Sequence, residues 1–186
     1  MPIVILKTNI EVNGSRDIKI ELDEKAAPIT VQNFLNYVES GHYNGTIFHR
    51  VIPGFMIQGG GLDANMTAKD DLARPIANEA NNGLKNQLFT VAMARTSDPD
   101  SATSQFFINV VDNNFLDYTA PTLQGWGYCV FGKVIEGQEI VMAISHVNTI
   151  NHPTGHQNVP ERPIVIESAT VELELEQKAT SSMAKL

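Results

Sequence analysis

Residues 48–61 read FHRVIPGFMIQGGG. The stretch holds one permanent cation (Arg50), one amide (Gln58), a Pro53-Gly54 turn signal, several large apolar side chains and three consecutive glycines. It contains no Ser, Cys, Asp, Glu or Lys, so it lacks the usual nucleophiles and carboxylate bases. Ile47–Ile52 and Phe55–Gln58 read as strands around the turn. Neighbours in a strand point to opposite faces, so Phe48, Arg50 and Ile52 are expected on one face and His49 and Val51 on the other. An arginine in so apolar a strand is costly unless it is paired or lines a groove. Strict alternation would also separate Phe55 from Gln58. They share a face only if the Pro53-Gly54 turn shifts the phase.

The same pattern extends outward. Ile3–Leu6 is apolar, Ile18, Ile20 and Leu22 alternate with polar residues, and Asn13-Gly14 between them is a hairpin signal. PITVQNFLNYVESG (residues 28–41) places Val31, Phe34, Leu35 and Val38 at helical spacing, with Pro28 suited to a first turn and Gly41 to a stop. Residues 62–85 are a long polar excursion, of a length that is functional or ordered by local contacts. Leu88–Ala94, Phe106–Val111 and Tyr128–Val134 are further strands, and Glu139–Ser145 is a short second helix. Residues 148–162 read as loop, Ile164–Leu175 as an interrupted last strand, and 177–186 as a polar tail after a domain spanning 1–176. About eight strands with turns between them, plus two helices, make a mainly β chain, either a closed antiparallel barrel or a sandwich.

Bulk properties narrow the function. The chain has 186 residues, 42% apolar and 18% charged, which fits one globular domain. A net charge of −8 argues against nucleic-acid and anionic-membrane partners, because both reward clustered Lys and Arg. The single cysteine, Cys129, permits no internal disulfide and points to a reducing, cytoplasmic compartment. The opening MPIVILKTN reads as a first strand and not as a signal peptide, and no apolar run is long enough to span a bilayer. The final AKL matches a peroxisomal address over only three residues.

Familiar chemical motifs are missing. Gly59-Gly60-Gly61 is not a dinucleotide-binding glycine loop, and there is no P-loop or HExxH. His152 and His156 flank Pro153 and Gly155, which forbid the helix that would align them for a metal. Cys129 lies in the apolar run YCVF and reads as core. Asp98 and Asp100 around Pro99 are explained by turn formation.

FHRVIPGFMIQGGG, together with SQFFINV (104–110) and VFGKV (130–134), resembles the cyclophilin family of peptidyl-prolyl cis-trans isomerases over residues 3–175. NEANNGLKN (78–86) and LQGWGYCVFGKV (123–134) are most similar to its bacterial cytoplasmic branch. The resemblance implies a closed eight-stranded antiparallel barrel capped by two α-helices. It implies rotation about X-Pro bonds in unfolded or flexible chains, by a monomer needing no cofactor or metal. It assigns Arg50 as the catalytic arginine, with Gln58 and Gln105 as polar contacts beside it. Phe55, Met56, Phe107 and Leu123 are implied as the proline-pocket wall, and Ala94 and Arg95 as the stretch that pairs with substrate backbone. Tyr128 stands where many members have a histidine, and His49 matches the histidine beside the arginine. Leu123 stands where many eukaryotic members have a tryptophan that helps bind cyclosporin, which implies weak cyclosporin binding here. Arg95 replaces a usual asparagine and would add charge to the groove, and the 97–103 loop is about one residue longer than is common.

Overall fold

The computed structural model describes residues 1–172 and 182–184. The opening hairpin forms as its turn chemistry requires. β1 (Ile3–Val12) and β2 (Ser15–Leu22) are joined by Asn13 and Gly14, with φ of 50° and 79°. Two positive φ angles in a two-residue loop match the twist of the flanking strands. Val4 and Leu6 of β1 and Ile18, Ile20 and Leu22 of β2 are fully buried at every second position, so the hairpin lays one face on the core.

Further along the chain come β3 (Arg50–Ile52), β4 (Met56–Gly59), β5 (Thr90–Met93), β6 (Phe106–Asn109), β7 (Val130–Glu136) and β10 (Ile166–Val171). With β1 and β2 they make one eight-stranded sheet in the order β10-β1-β2-β7-β5-β6-β4-β3. Every pair is antiparallel. The sheet curls until its two ends meet, but the seam is not a regular ladder. It consists of an isolated bridge, Ile47 to Val165, reinforced by Phe48 N–H to Ile164 O (2.9 Å) and Ile166 N–H to Thr46 O (2.8 Å). The expected barrel is thus a strongly curled eight-stranded sheet closed by a few bonds. β8 (Thr149–Ile150) and β9 (Val159–Pro160) form a small separate ladder inside the expected 148–162 loop.

α1 (Pro28–Glu39) and α2 (Gln138–Ser145) cover the core through Val31, Phe34 and Val38, and through Ile140, Val141 and Ile144. Phe34 sits at the centre of an aromatic cluster, with ring centroids 5.1 Å from Tyr43, 5.5 Å from Phe106 and 5.1 Å from Phe131. The face pattern at residue 48 differs from expectation. Phe48 is fully buried in this main core beside Val51 and does not share the face of Arg50. The ladder begins only at Arg50, so strand parity does not reach back to Phe48. The last strand ends at Val171. Leu173, Leu175 and most of the expected 177–186 tail lie outside the described residues.

The polar excursion is ordered partly by local contacts, the bridge Leu62–Ala68 and a 3-10 turn at Ala80–Asn82, and partly by long-range ones such as the bridge Ile76–Ala102. It also supplies the cap that α1 lacks. Ala27 at the N-cap has no side-chain acceptor. The Glu79 carboxylate instead accepts Ile29 N–H (3.3 Å), Thr30 N–H (2.7 Å) and Thr30 Oγ1–H (2.7 Å). These are the second and third helical amides, which have no partner within a helix, and negative charge there also complements the helix dipole. Replacing Glu79 by Ala should therefore cost about 1–2 kcal/mol. That corresponds to a Tm fall of several degrees in a chain of this size, readable by calorimetry against wild type.

Candidate active site

Five strands of the curled sheet are apolar on both faces. Val51, Ile57, Val91, Met93, Phe106, Ile108 and Phe131 point into the main core. The alternate residues Met56, Ala92, Phe107 and Val130 point the other way and form a second, smaller cluster with Leu116. The candidate site lies over this outer cluster. A concavity there is lined by Arg50, Phe55, Met56, Gln58 and Phe107 from the β3–β4–β6 side. Ala94, Arg95, Leu116 and Tyr128 complete it.

The phase problem at Phe55 is solved by the turn. Gly54 takes φ of +71°, and Phe55 N–H donates to Ile52 O at 3.1 Å, so Phe55 belongs to the turn and β4 starts at Met56. Met56 and Gln58 then alternate onto the pocket face while Ile57 enters the core. Arg50 and Gln58 are directly paired across β3 and β4. Arg50 Nη1–H reaches Gln58 Oε1 at 3.5 Å, and Gln58 Nε2–H donates to Gln105 Oε1 at 3.0 Å. The guanidinium has no other protein acceptor among the described residues. The glycine run makes room for this relay. A Cβ on Gly61 would stand 2.5 Å from the Gln105 side chain, and one on Gly60 (φ +91°) would stand 2.9 Å from the rings of Phe106 and Tyr43.

Arg95 is committed elsewhere. Its Nε and Nη2 donate to Gly127 O at 3.0 and 2.9 Å, its Nη1 donates to Thr96 O at 2.9 Å, and its Cζ stands 4.5 Å from the Tyr128 ring centroid. Tyr128 in turn meets Phe107 edge-on at 5.8 Å. Arg95 therefore clamps the loop before β7 and fixes Tyr128, and its charge is not a free group in the groove. Ala94 N–H is also taken, by Gln105 O at 3.0 Å.

Three expected residues do not line the pocket: Gln105 reaches it only through its bond to Gln58, and Leu123 and His49 lie elsewhere. Leu123 is 68% exposed and lies on a shallow neighbouring concavity. The wall position expected of it is filled by Leu116, which is 8% exposed, and the preceding Phe115 stacks on Phe55 at 5.7 Å. Residues 117–127 fold back on themselves, with Thr119 N–H to Gly125 O at 2.7 Å and Tyr118 against Trp126 at 5.2 Å, and so hold Leu123 away. Sequence reasoning missed Phe115 and Leu116. The signal was the apolar pair in the polar run DNNFLD, directly after the SQFFINV strand; it forms a 3-10 turn at Asn114–Leu116.

The other misplaced residue is His49, which is buried beside His156, ring centroids 5.9 Å apart, with Nδ1 unpartnered among the described residues. Burial, then the nearby His156 and Arg50, lowers its pKa from 6.5 to about 4.

Cys129 is buried, with Thr30 Oγ1 3.5 Å from its sulfur, and burial pushes the thiol up to about 11. It is no nucleophile at neutral pH. No described helix is long and apolar enough to cross a membrane, and no three described His, Cys, Asp or Glu residues are grouped to hold a metal.

The family model for cyclophilin type peptidyl-prolyl cis-trans isomerases matches residues 7–171. The chain is a cyclophilin-type peptidyl-prolyl cis-trans isomerase. It is 59% identical to the peptidyl-prolyl cis-trans isomerase cyp18 of Streptomyces antibioticus, over 88% of this chain and 98% of that one. It is 56% identical to peptidyl-prolyl cis-trans isomerase B of Escherichia coli, over 83% of this chain and 93% of that one. The crystal structure of a Cryptosporidium parvum cyclophilin type isomerase in the presence of the dipeptide ala-pro superposes with a TM-score of 0.72 at 27% identity. That alignment covers 94% of this chain and 100% of the other.

The state of His49 has a consequence for the stability of this cyclophilin. The unfolded chain takes up a proton near pH 6.5, whereas the folded one resists until about pH 4. Unfolding therefore binds a proton within that window, and stability falls as pH drops from 6.5 to 4. The loss reaches up to about 3 kcal/mol at ~1.36 kcal/mol per unit. Urea melts of His49→Gln and wild type at pH 7 and pH 4.5 should show a distinctly smaller acid loss in the variant.

Proposed function

We propose that this cyclophilin accelerates rotation about X-Pro bonds in unfolded or flexible chains, with Arg50 as the catalytic group and the apolar pocket as the seat of the proline ring. The observation that carries this reading is the pocket's composition. Its polar side chains are two guanidiniums, one amide and a phenol, set among Phe55, Met56, Phe107 and Leu116. Such a set suits a reaction in which no covalent bond changes.

Rotation about an amide breaks its resonance, at a barrier of roughly 18–20 kcal/mol. A ~20 kcal/mol barrier corresponds to about 0.01 turnovers per second, in line with uncatalysed prolyl isomerisation over roughly 10–100 s. In the twisted geometry the prolyl nitrogen regains a lone pair. A donor aimed at that nitrogen bonds the transition state and hardly touches the planar amide, which is the condition for catalysis. Guanidinium is always charged, rigidly forked and no proton source at neutral pH. A ~10⁵-fold acceleration needs about 7 kcal/mol. One charge-assisted hydrogen bond supplies ~1.5–3 kcal/mol of it, and desolvation and positioning in the pocket supply the rest.

Gln58 is the second catalytic residue of this reading. It holds Arg50 from one side and is itself held by Gln105. Phe55, Met56, Phe107, Leu116 and Tyr128 take up the ring and shed its water. The dipeptide in the Cryptosporidium parvum relative supports a proline-containing ligand. Weak cyclosporin binding belongs to the same reading, because Trp126 packs on Tyr118 and does not line the pocket. A reducing, cytoplasmic setting is compatible with one buried cysteine.

Arg50→Ala should lower kcat/KM for a small X-Pro peptide at least tenfold, with Tm almost unchanged, since Arg50 makes a single long hydrogen bond of 3.5 Å within the protein. NMR exchange between cis and trans peptide peaks measures this directly, and near-wild-type exchange in the variant would sink the mechanism. The rate should also stay nearly flat from about pH 6 to 9, because no group assigned to the reaction titrates there.

A further inference from the structure

Behind the pocket lies a chain of three buried asparagines. Asn86 precedes β5, Asn109 ends β6, and Asn113 stands just before the Asn114–Leu116 turn; they are 1%, 0% and 3% exposed. The Asn113 amide nitrogen donates to the Phe55 carbonyl at 2.9 Å and to Asn109 Oδ1 at 2.8 Å. The Asn109 amide nitrogen donates to Asn86 Oδ1 at 3.1 Å and to Thr90 Oγ1 at 3.0 Å. The Asn86 amide nitrogen lies 3.2 Å from the carbonyls of Leu116 and Tyr128 and 3.2 Å from Asp117 Oδ1. The backbone closes the same network, with Asn113 N–H to Asn86 O at 2.8 Å and Asn86 N–H to Asp117 Oδ1 at 2.7 Å.

The ends of this chain are the main-chain carbonyls of three pocket-wall residues, Phe55, Leu116 and Tyr128. Leu116 and Tyr128 are also joined by one backbone bond, Tyr128 N–H to Leu116 O at 2.9 Å. No strand pairing holds Phe55 to either of them, because Phe55 sits in the turn before β4 and the other two lie outside the sheet. The amide chain bridges that gap. It is directional: each amide nitrogen gives its protons away, and the amide oxygens of Asn109 and Asn86 each receive one. Removing the middle link leaves a donor on Asn113 and an acceptor on Asn86 buried without partners, at a cost that wall movement relieves. Arg50 and Gln58 stand outside this chain, tied to Gln105.

We propose that Asn86, Asn109 and Asn113 are positioning residues that set the width of the pocket, and through it the affinity for the substrate, without altering the step at Arg50. The proposal rests on the reading of the pocket as the proline site. It predicts a split between KM and kcat that a purely structural role would not produce. Asn109→Leu, which keeps volume but breaks the chain, and Asn113→Ala, which removes the donors to Phe55 O and Asn109 Oδ1 and leaves Phe55 O bonded only to Val110 N–H, should each raise KM for an X-Pro peptide three- to tenfold. In both, kcat should stay within twofold in the folded protein, as judged by near-UV circular dichroism and by NMR exchange at saturating and sub-saturating peptide. Wild-type KM in the folded variants, or a fall in kcat with KM unchanged, would overturn it. If Asn109→Leu does not fold, Asn113→Ala decides alone by the same two numbers. Phe107→Ala separates the two readings. If it too keeps wild-type KM, the pocket assignment has failed; if it raises KM while the asparagine variants do not, only the positioning role has.

Discussion

Arg50 can be held over an apolar pocket because the strand that carries it is anchored from behind by Val51, which is fully buried in the main core. The same division runs through the neighbouring strands. Ile57 faces inward between Met56 and Gln58, and Phe106 and Ile108 face inward on either side of Phe107. A sheet used in this way must be apolar on both faces, and its strands read as near-continuous hydrophobic runs such as FFIN. The outer face would be an exposed greasy patch if nothing covered it. The Asn114–Leu116 turn and Tyr128 cover part of it and leave the rest as the pocket. The site is therefore the uncovered remainder of a second core, and its rigidity comes from the first.

That origin explains how so little polar chemistry can suffice. Amide rotation moves charge without transferring a proton or an electron pair to the protein, so the mechanism proposed above needs only a preorganised donor and a dry surface. Both follow from the two-faced sheet. Register pairs Arg50 with Gln58, and Gln105 fixes the orientation of the Gln58 amide, because Gln58 must donate to it while accepting from Arg50. A lysine could supply charge at the same place but not a planar fork held by a neighbouring carbonyl oxygen.

Much of this was legible in the sequence where a strict period or a special backbone angle governs. The Asn13-Gly14 hairpin and the amphipathic face of α1 follow from local rules, and both are present, whereas the phase shift at Pro53-Gly54 entered only as a condition for Phe55 and Gln58 to share a face. What was not legible depends on contacts far apart in the chain. Phe48 left the expected face because the ladder starts two residues later. Leu123 and Leu116 exchanged places because residues 117–127 close on themselves, which neither motif spacing nor hydropathy encodes. Arg95 looked like free charge because its acceptor, the carbonyl of Gly127, is 32 positions away. The cap on α1 could not be read from the helix at all, since Glu79 arrives from 49 residues downstream of Thr30.

The excursion at 62–85 shows why such distant polar contacts recur around this site. Near one end, His42 Nδ1 lies 2.7 Å from Asp71 Oδ1, and its Nε2 lies 2.9 Å from the Gly60 carbonyl oxygen. Near the other end, Glu79 holds the first turn of α1. Gly60 lies in the glycine run that admits Gln105 beside Gln58. Apolar packing alone is non-directional and would tolerate small slips of that run. Hydrogen bonds from a buried ring and to a carboxylate do not, because an unmade bond there costs far more than a made one contributes. The pocket is greasy on the face proposed to meet substrate, and its wall is fixed from behind by groups whose geometry is demanding.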